Sequence, residues 1–426
     1  MADSTQDSNQ KRRRLLISAF AIAPNRGSEP GVGWHRAIQA AHNFDVWVLC
    51  ASDDYETSIQ PWLKSNGPID GLSFYPVYLS GLENRLHLKP LFTYLIYNRW
   101  QRKAFAVALE LHKKYHFDIV HHVTWNSFRE PGYLWRLDAP FIWGPVGGTQ
   151  NYPWQFLARA GLPGALSEGI RTIVNQFQLR HGGRVRKVAR RSAMVLAANS
   201  TGARDFKEIL GVQVECLPEA GVGEISHSTR APFSSDRPLR VLWSGLFNHC
   251  KALHLLLEAL GSVRGSFKFE LRVVGDGRLR RRWKRAARRF GIEDRCEWVG
   301  FVPHTEAVKH NGWADVLVFT SMRDTSGNVV LEALTRGVPV ICFDHFGAGD
   351  TVTNECGIKI PVSSPSKSIR TLGEALQFLA QNPDELESLR KGAVKRAREY
   401  SWEQNGRRMI AHYHDVLSGN RTNGEK

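Results

Sequence analysis

Much that would announce a function outright is missing from this sequence. Its six cysteines, Cys50, Cys216, Cys250, Cys296, Cys342 and Cys356, are scattered, with no Cys-x-x-Cys pair and no zinc-like spacing. That argues against a disulfide framework or a structural zinc site, and reduced core thiols suit a cytoplasmic protein. No apolar run approaches about 20 residues, so no helix is expected to cross a membrane. Helix-turn-helix signals and aromatic-studded RNA motifs are absent too, which leaves a nucleic-acid-binding reading with charge as its only support. Acidic residues are in short supply: 41 Asp and Glu face 57 Lys and Arg, a net charge of +16. A field of that sign favours anionic partners, whether phosphorylated substrate, acidic lipid or nucleic acid, without choosing among them.

What remains describes a globular chain. With 426 residues, 42% of them apolar and 23% charged, it can build two sizeable cores and is neither disordered nor fibrous. Met1–Arg13 reads as a disordered tail. Lys11–Arg14 followed by Leu15–Ala23 imitates a secretory signal, down to a cleavage-like Ala21-Ile22-Ala23. The same residues read better as a first buried strand running into a turn that carries Gly27, Gly31 and Gly33, since cleavage would delete the opening strand of a βα unit. Strands are expected at Leu15–Phe20, Val46–Cys50, Ser73–Val77, Asp118–Thr124, Phe141–Trp143 and Met194–Ala198, with helices at Trp34–His42 and Leu91–Tyr115. Tyr152–Val188 shows no decisive period.

After Arg230–Pro238, a Pro- and Ser-containing stretch, the rhythm restarts. Strands recur at Leu239–Trp243, Phe269–Val274, Cys296–Val299, Val316–Phe319 and Val338–Phe343. Helices at Ala252–Ser262, Leu279–Phe290, Val329–Arg336, Ser368–Gln381 and Asp384–Tyr400 fill the gaps. Such alternation implies an α/β chain of two doubly wound, Rossmann-like domains. The expected division is a first domain over 14–230, a linker over 231–238 and a second domain over 239–400. A C-terminal helix over 401–418 can return to the first domain, before a tail at 419–426. Open sheets of this kind bind ligands beyond the carboxyl ends of their strands, so two facing sheets share one central cleft.

The densest chemistry lies in Val316–Ile341. There a buried strand ends near Thr320, a polar turn follows, and a helix opens near Gly327. The unpaired N–H groups of its first turn, with the positive end of the helix dipole behind them, suit a diphosphate. Asp324 and Glu332 flank that site; carboxylates do not hold phosphate, but they accept hydrogen bonds from sugar and ribose hydroxyls. A plainer reading makes Asp324 a helix cap and leaves Glu332 solvated.

This stretch resembles the E-x7-E motif of glycosyltransferase family 4, retaining enzymes of the GT-B fold. The resemblance implies that Asp324 contacts donor-sugar hydroxyls and Glu332 the ribose, while the backbone of Ser326, Gly327, Asn328 and Val329 holds sugar and phosphate. Asp324 is one methylene shorter than the usual Glu, and Thr325-Ser326 replace Gly-Phe. Leu242–Leu253 resembles the family's G-R…K-G segment, with Gly245 and Lys251 on its donor-binding positions. Leu246 stands where the phosphate-binding arginine is usual, so His249 or Arg323 is a candidate to supply that charge. Val273–Gly277 and Val299–Val302 resemble two further family turns. Together these imply transfer from a nucleotide-diphosphate-sugar donor to a saccharide or lipid-linked acceptor, with retention. The leaving phosphate itself would deprotonate the attacking hydroxyl. The first domain would face the acceptor and the second the donor. No Asp-x-Asp triplet occurs and Asp53-Asp54 is expected in a loop, so no metal or other cofactor is expected. Lys251 and the helix N-terminus take the electrostatic part.

The first domain adds three features. Gly31-Val-Gly33 resembles the family's glycine-rich loop near the donor phosphates; a tight packing turn is the plainer reading. Phe117–Thr124 resembles the strand that ends in a functional histidine. Of His121 and His122 only one can face the cleft, and His122 is the candidate catalytic residue beside Asp324 and Lys251. Trp143–Gly148 is glycine-rich and unassigned. In the second domain, Arg278–Phe290 puts Leu279, Trp283, Ala286 and Phe290 on one helical face and eight basic residues around the rest. It is either a solvated exterior or a contact with anionic lipid at the inner face of a membrane. Arg184–Arg191 is a second basic run. A sugar-nucleotide-binding scaffold without catalysis is the alternative that Leu246 and Asp324 raise, and no nucleic-acid partner is expected.

Overall fold

The computed structural model describes residues 12–81, 83, 92–125, 127–225 and 232–419. Of the expected tails 1–13 and 419–426, residues 1–11 and 420–426 lie outside the described residues, as does the linker's first residue, 231. Seven parallel strands form the first sheet: β1 (Arg13–Ser18), β2 (Phe44–Ala51), β3 (Leu72–Val77), β4 (Ile119–His122), β5 (Phe141–Val146), β6 (Met194–Ala197) and β7 (Glu215–Cys216), ordered 3-2-1-4-5-6-7. Arg13 therefore opens β1 rather than closing a tail. Six parallel strands form the second: β8 (Leu239–Ser244), β9 (Phe269–Val274), β10 (Cys296–Gly300), β11 (Val316–Phe319), β12 (Val340–Phe343) and β13 (Gly357–Ile360), ordered 10-9-8-11-12-13. Leu15 sits opposite Val46 and Ile119, and Leu317 opposite Leu242 and Val340. Each sheet reverses its order once, at β1/β4 and at β8/β11, and those reversals open the crevices where ligands bind.

The helices that bear on the site are α1 (Ser28–Ala41), α2 (Thr93–Tyr115), α3 (Leu162–His181), α4 (Gly183–Arg191), α5 (Leu253–Ser262), α6 (Arg280–Arg289), α7 (Asn328–Leu334), α8 (Pro365–Gln381), α9 (Pro383–Glu399) and α10 (Trp402–Leu417). Helix α1 begins six residues before the expected Trp34, so Gly31 and Gly33 are inside it. A Cβ at Gly31 would strike the Arg26 carbonyl, and one at Gly33 would come within 2.5 Å of the Ala21 carbonyl. These glycines let α1 pack against the chain leaving β1. Asp53 and Asp54 lie in a short helix, Ser52–Asp54, and not in a loop. Asp54 accepts the Ile22 amide at 3.0 Å and so braces the turn after β1.

Both faces of each sheet are covered, and aliphatic runs such as Leu15-Leu16-Ile17 are fully buried. Met409, Tyr413 and Val416 of α10 belong to the first domain's core, beside Ile17 and Phe44. Conversely Tyr152, Phe156 and Ala160, just before α3, pack into the second domain's core with Trp243 and Phe343. Val222 donates to the Tyr400 carbonyl (2.9 Å), and Trp402 donates to the Val222 carbonyl (3.0 Å). Val222, in the stretch that the sequence assigned to the first domain, thus pairs with the return crossing at Tyr400–Trp402. No helix among the described residues is long and apolar enough to cross a membrane.

Candidate active site between the two sheets

The chain leaving β1 and β4 in one sheet and β11 in the other meets at two adjoining cavities, while Lys251, beyond β8, lines neither. The first, about 300 Å³, is lined by Ser28, Glu29, Val123, Gly147, Gly148, Glu219, Thr325 and Asn328, among others. The second, about 250 Å³, shares Ser28, Val32, Ala220 and Asn328 with it and adds Arg26, Gly31, His304 and Glu332. Residues of both domains wall each cavity.

The second domain contributes most of the expected residues. Gly327 caps α7 with φ +66, a left-handed backbone that favours glycine. Asp324 accepts the Gly327 amide at 3.3 Å and with its other oxygen forms an ion pair with Lys251, each side chain about a quarter exposed. The Lys251 backbone is fixed in turn. Its amide donates to Asn248 Oδ1 (3.1 Å), and its carbonyl accepts the Thr320 hydroxyl (2.7 Å). So Asp324 is not the helix cap that the plainer reading held: it binds the amide of the cap residue Gly327 and pairs with the lysine. Glu332 is not merely solvated: it lies 2.8 Å from His304 Nε2, a hydrogen bond that raises the imidazole pKa. Asn328 and Val329 open α7, so their amides have no intrahelical acceptor.

The two departures from the motif tie the domains together. The Asn199 side chain donates to the Thr325 carbonyl at 2.8 Å, and the Ser326 hydroxyl donates to Glu219 at 2.6 Å. The unassigned glycine stretch explains itself here: a Cβ at Gly147 would come within 2.7 Å of Thr325 Cγ2. Gly245 donates its amide to Val274 at 3.0 Å, and its carbonyl runs against Gly275, where no Cβ fits. Leu246 is 60% exposed. Both candidates for the missing arginine already have partners. Arg323 makes a two-pronged bond to Glu168 of α3 (2.9 and 3.1 Å), and His249 Nδ1 lies 3.1 Å from the Ala160 carbonyl.

The first domain corrects two expectations. His121 and His122 are both fully buried and neither lines either cavity, so His122 does not face the cleft as expected. Strand β4 is central, and its two faces are covered by α2 and α10. His122 lies 3.4 Å from the Tyr97 hydroxyl on one side; His121 lies 2.7 Å from the Tyr413 hydroxyl and the Gly144 carbonyl on the other. Burial pushes their pKa values down to about 4 and about 3. The residue at the end of β4 that lines the cavity is Val123. Gly33 is a packing glycine, pressed on Ala21 and Thr124, whereas Gly31 does line the second cavity.

Sequence reasoning missed Glu29, Glu219, Arg26 and His304. Glu29, whose carboxylate accepts the Trp125 amide, lay in plain view two residues before Gly31. Burial raises the Glu219 pKa, and nothing in its sequence neighbourhood marks it. Among the described residues, no three His, Cys, Asp or Glu side chains converge as a metal site requires.

Over 96% of its length the chain superposes on sucrose-phosphate synthase from Thermosynechococcus elongatus, covering all of that chain (TM-score 0.62, 17% identical). Over 95% it superposes on Anabaena HepE, solved with UDP and also fully covered (TM-score 0.60, 14% identical). Two facing doubly wound sheets with a polar cleft between them are thus a GT-B fold. By sequence the chain is similar to the group 1 enzymes, and that match marks it as a glycosyltransferase. Residues 228–398 match the family model described as glycosyl transferases group 1. The 2-deoxystreptamine glucosyltransferase of Streptomyces kanamyceticus is 26% identical over 333 residues, 76% of this chain and 84% of that one.

Proposed function

We propose that this enzyme transfers a sugar from a nucleotide-diphosphate-sugar to a hydroxyl of a saccharide or lipid-linked acceptor, with retention and without a metal ion. The observation that carries the reading is the grouping around the start of α7: Asp324 pairs with Lys251 and accepts the Gly327 amide, while Asn328 and Glu332 of the same helix line the second cavity. In this reading Lys251 and the amides of Gly327, Asn328 and Val329 take the diphosphate, exchanging the Lys251–Asp324 pair for bonds to the donor. Asp324 and Ser326 then meet sugar hydroxyls. Glu332 takes the ribose, with His304 beside it, and the turn at Gly245 and the bare wall at Gly31 of α1 let the donor approach. The UDP complex of HepE supports a nucleotide donor.

During transfer the anomeric carbon–oxygen bond to the diphosphate breaks as the acceptor oxygen bonds on the same face. The acceptor proton passes to the leaving phosphate oxygen. Fixed positive charge at Lys251 and the amides stabilises that leaving group without reorganisation. Glu29, Val123 and Gly147–Gly148 form the acceptor wall, and His122 has no part in the chemistry.

The enzyme would work in the cytoplasm, with any contact of Arg278–Phe290 with anionic lipid resting on charge alone. Trp283 and Ala287 of α6 are buried, Arg280 pairs with Asp276 and Arg288 with Glu293. Product analysis tests the reaction: a retained anomeric configuration and full turnover in EDTA are expected. Inversion, or loss in EDTA restored by a divalent cation, would overturn the corresponding part.

A further inference from the structure

Helix α3 wears its apolar face outwards. Leu162, Leu166, Ile170, Ile173 and Phe177 recur at helical spacing on one side, with Val174 at the edge, and each exposes 45–87% of its surface. The opposite side is buried yet largely polar: Glu168 holds Arg323, and Asn175 donates to the Thr149 carbonyl at 2.9 Å. Twenty residues make the strip about 30 Å long. An apolar strip of that extent on a chain of charge +16 marks an interaction surface.

A cavity of about 630 Å³ adjoins it, walled by Tyr94, Arg129, Glu130, Arg171, Val174 and Arg184, with others. Tyr94 also walls the first cavity of the active site, so the two spaces are neighbours. Arg184 lies 3.5 Å from Glu130. Among the described residues Arg129 and Arg171 bond only neutral groups: Gln178 (2.6 Å) and Asn175 for the first, the Gln150 carbonyl (3.3 Å) for the second. Burial, and then repulsion by Arg323 and Arg129, pushes the Arg171 pKa down to about 10. Glu130 in the wall is taken by Arg184, and Glu168, whose charge reaches Arg171, is held by Arg323. Two half-buried guanidiniums with no carboxylate bonded to them call for an anion.

We infer that α3 lies on an anionic lipid surface and that the arginine cavity receives the phosphate or diphosphate of a lipid headgroup, presenting a lipid-linked acceptor to the cleft. An apolar helix face followed by a basic helix matches such a surface: Lys187, Arg190 and Arg191 of α4 are exposed. A second copy on the same face would bring like charges together. The inference rests on the glycosyltransferase reading and specifies its acceptor.

The test is co-sedimentation of the full chain with vesicles of phosphatidylcholine alone or mixed with phosphatidic acid. At low salt, binding to the acidic vesicles is expected to be at least about tenfold tighter. Ile170→Glu with Phe177→Glu should abolish it, and Arg129→Gln with Arg171→Gln should erase the preference for phosphatidic acid, with circular dichroism checking the fold. No binding to acidic vesicles, or binding unchanged in both double variants, overturns the inference. So does a dimer on size exclusion that the α3 substitutions dissociate while vesicle binding stays as in wild type. Calorimetry with inorganic diphosphate separates a soluble anion: binding there without vesicle binding also overturns it. A sugar-nucleotide thermal shift on the wild-type protein is run alongside. A shift without vesicle binding leaves the enzyme reading standing while the lipid inference falls.

Discussion

Lys251 and Asp324 hold each other at the ends of β8 and β11, and both are named for the donor. Because the pair is about a quarter exposed, its net worth to the fold is small. Lys251→Ala is therefore expected to lower turnover on the order of a hundredfold, the scale for removing one preorganised positive group, with a melting temperature close to wild type. Unchanged turnover would hand the phosphate to another cation. At Glu332 the expected effect is on pH as well. His304 is raised above its ordinary 6.5 by the Glu332 hydrogen bond. A pKa raised on folding contributes stability that is whole below pH 6.5 and lost as pH rises through the folded value. An NMR titration of His304 should show a midpoint above 6.5 that falls in Glu332→Gln; an unmoved midpoint would remove this contact as its cause. Lys251, Asp324 and Glu332 were legible because two short strand–turn–helix stretches carry all three. His122 was not. Alternation assigns adjacent histidines to opposite faces, but only the structure shows that both faces of β4 are covered and that the cleft begins at Val123.

Among the elements, the strands were plain because Val, Ile and Leu runs can only be buried on both faces of a parallel sheet. Two escaped: β7 has two residues, and β13, Gly-Ile-Lys-Ile, is broken by a lysine. Helix α3 escaped for a different reason. Its apolar side faces solvent and its buried side is polar, so periodicity alone cannot orient it. Helix α10 returns to the first domain, where Tyr413 supplies the His121 partner in a fully buried pair. Tyr413→Phe is expected to cost about 1–3 kcal/mol in denaturant unfolding, the price of a buried group left unsatisfied, with donor affinity unchanged. A stability equal to wild type would mean that His121 finds another partner.

The whole molecule is two sheets laced together by polar contacts. Arg323 meets Glu168, Ser326 meets Glu219, and the Ser200 hydroxyl donates to Asp350 at 2.6 Å. Glu168→Gln leaves a half-buried guanidinium without its counter-charge. A loss of about 2 kcal/mol, between the exposed and buried limits for ion pairs, is expected in chemical denaturation. No loss would show that Arg323 re-pairs. The long-range order of the chain was readable as two repeating βα units, but its crossings were not. Tyr152–Ala160 joins the second core before the expected linker, and no local pattern marks which core an aromatic residue fills. The central claim is that a sugar nucleotide is held beside Lys251, Asp324 and Glu332. Its most direct test is thermal unfolding of the wild type and of Lys251→Ala and Glu332→Gln against a panel of sugar nucleotides. One nucleotide at 100 times its dissociation constant should stabilise the wild type by about 2.7 kcal/mol and both variants by much less. No stabilisation by any sugar nucleotide, or equal stabilisation of all three proteins, would contradict it.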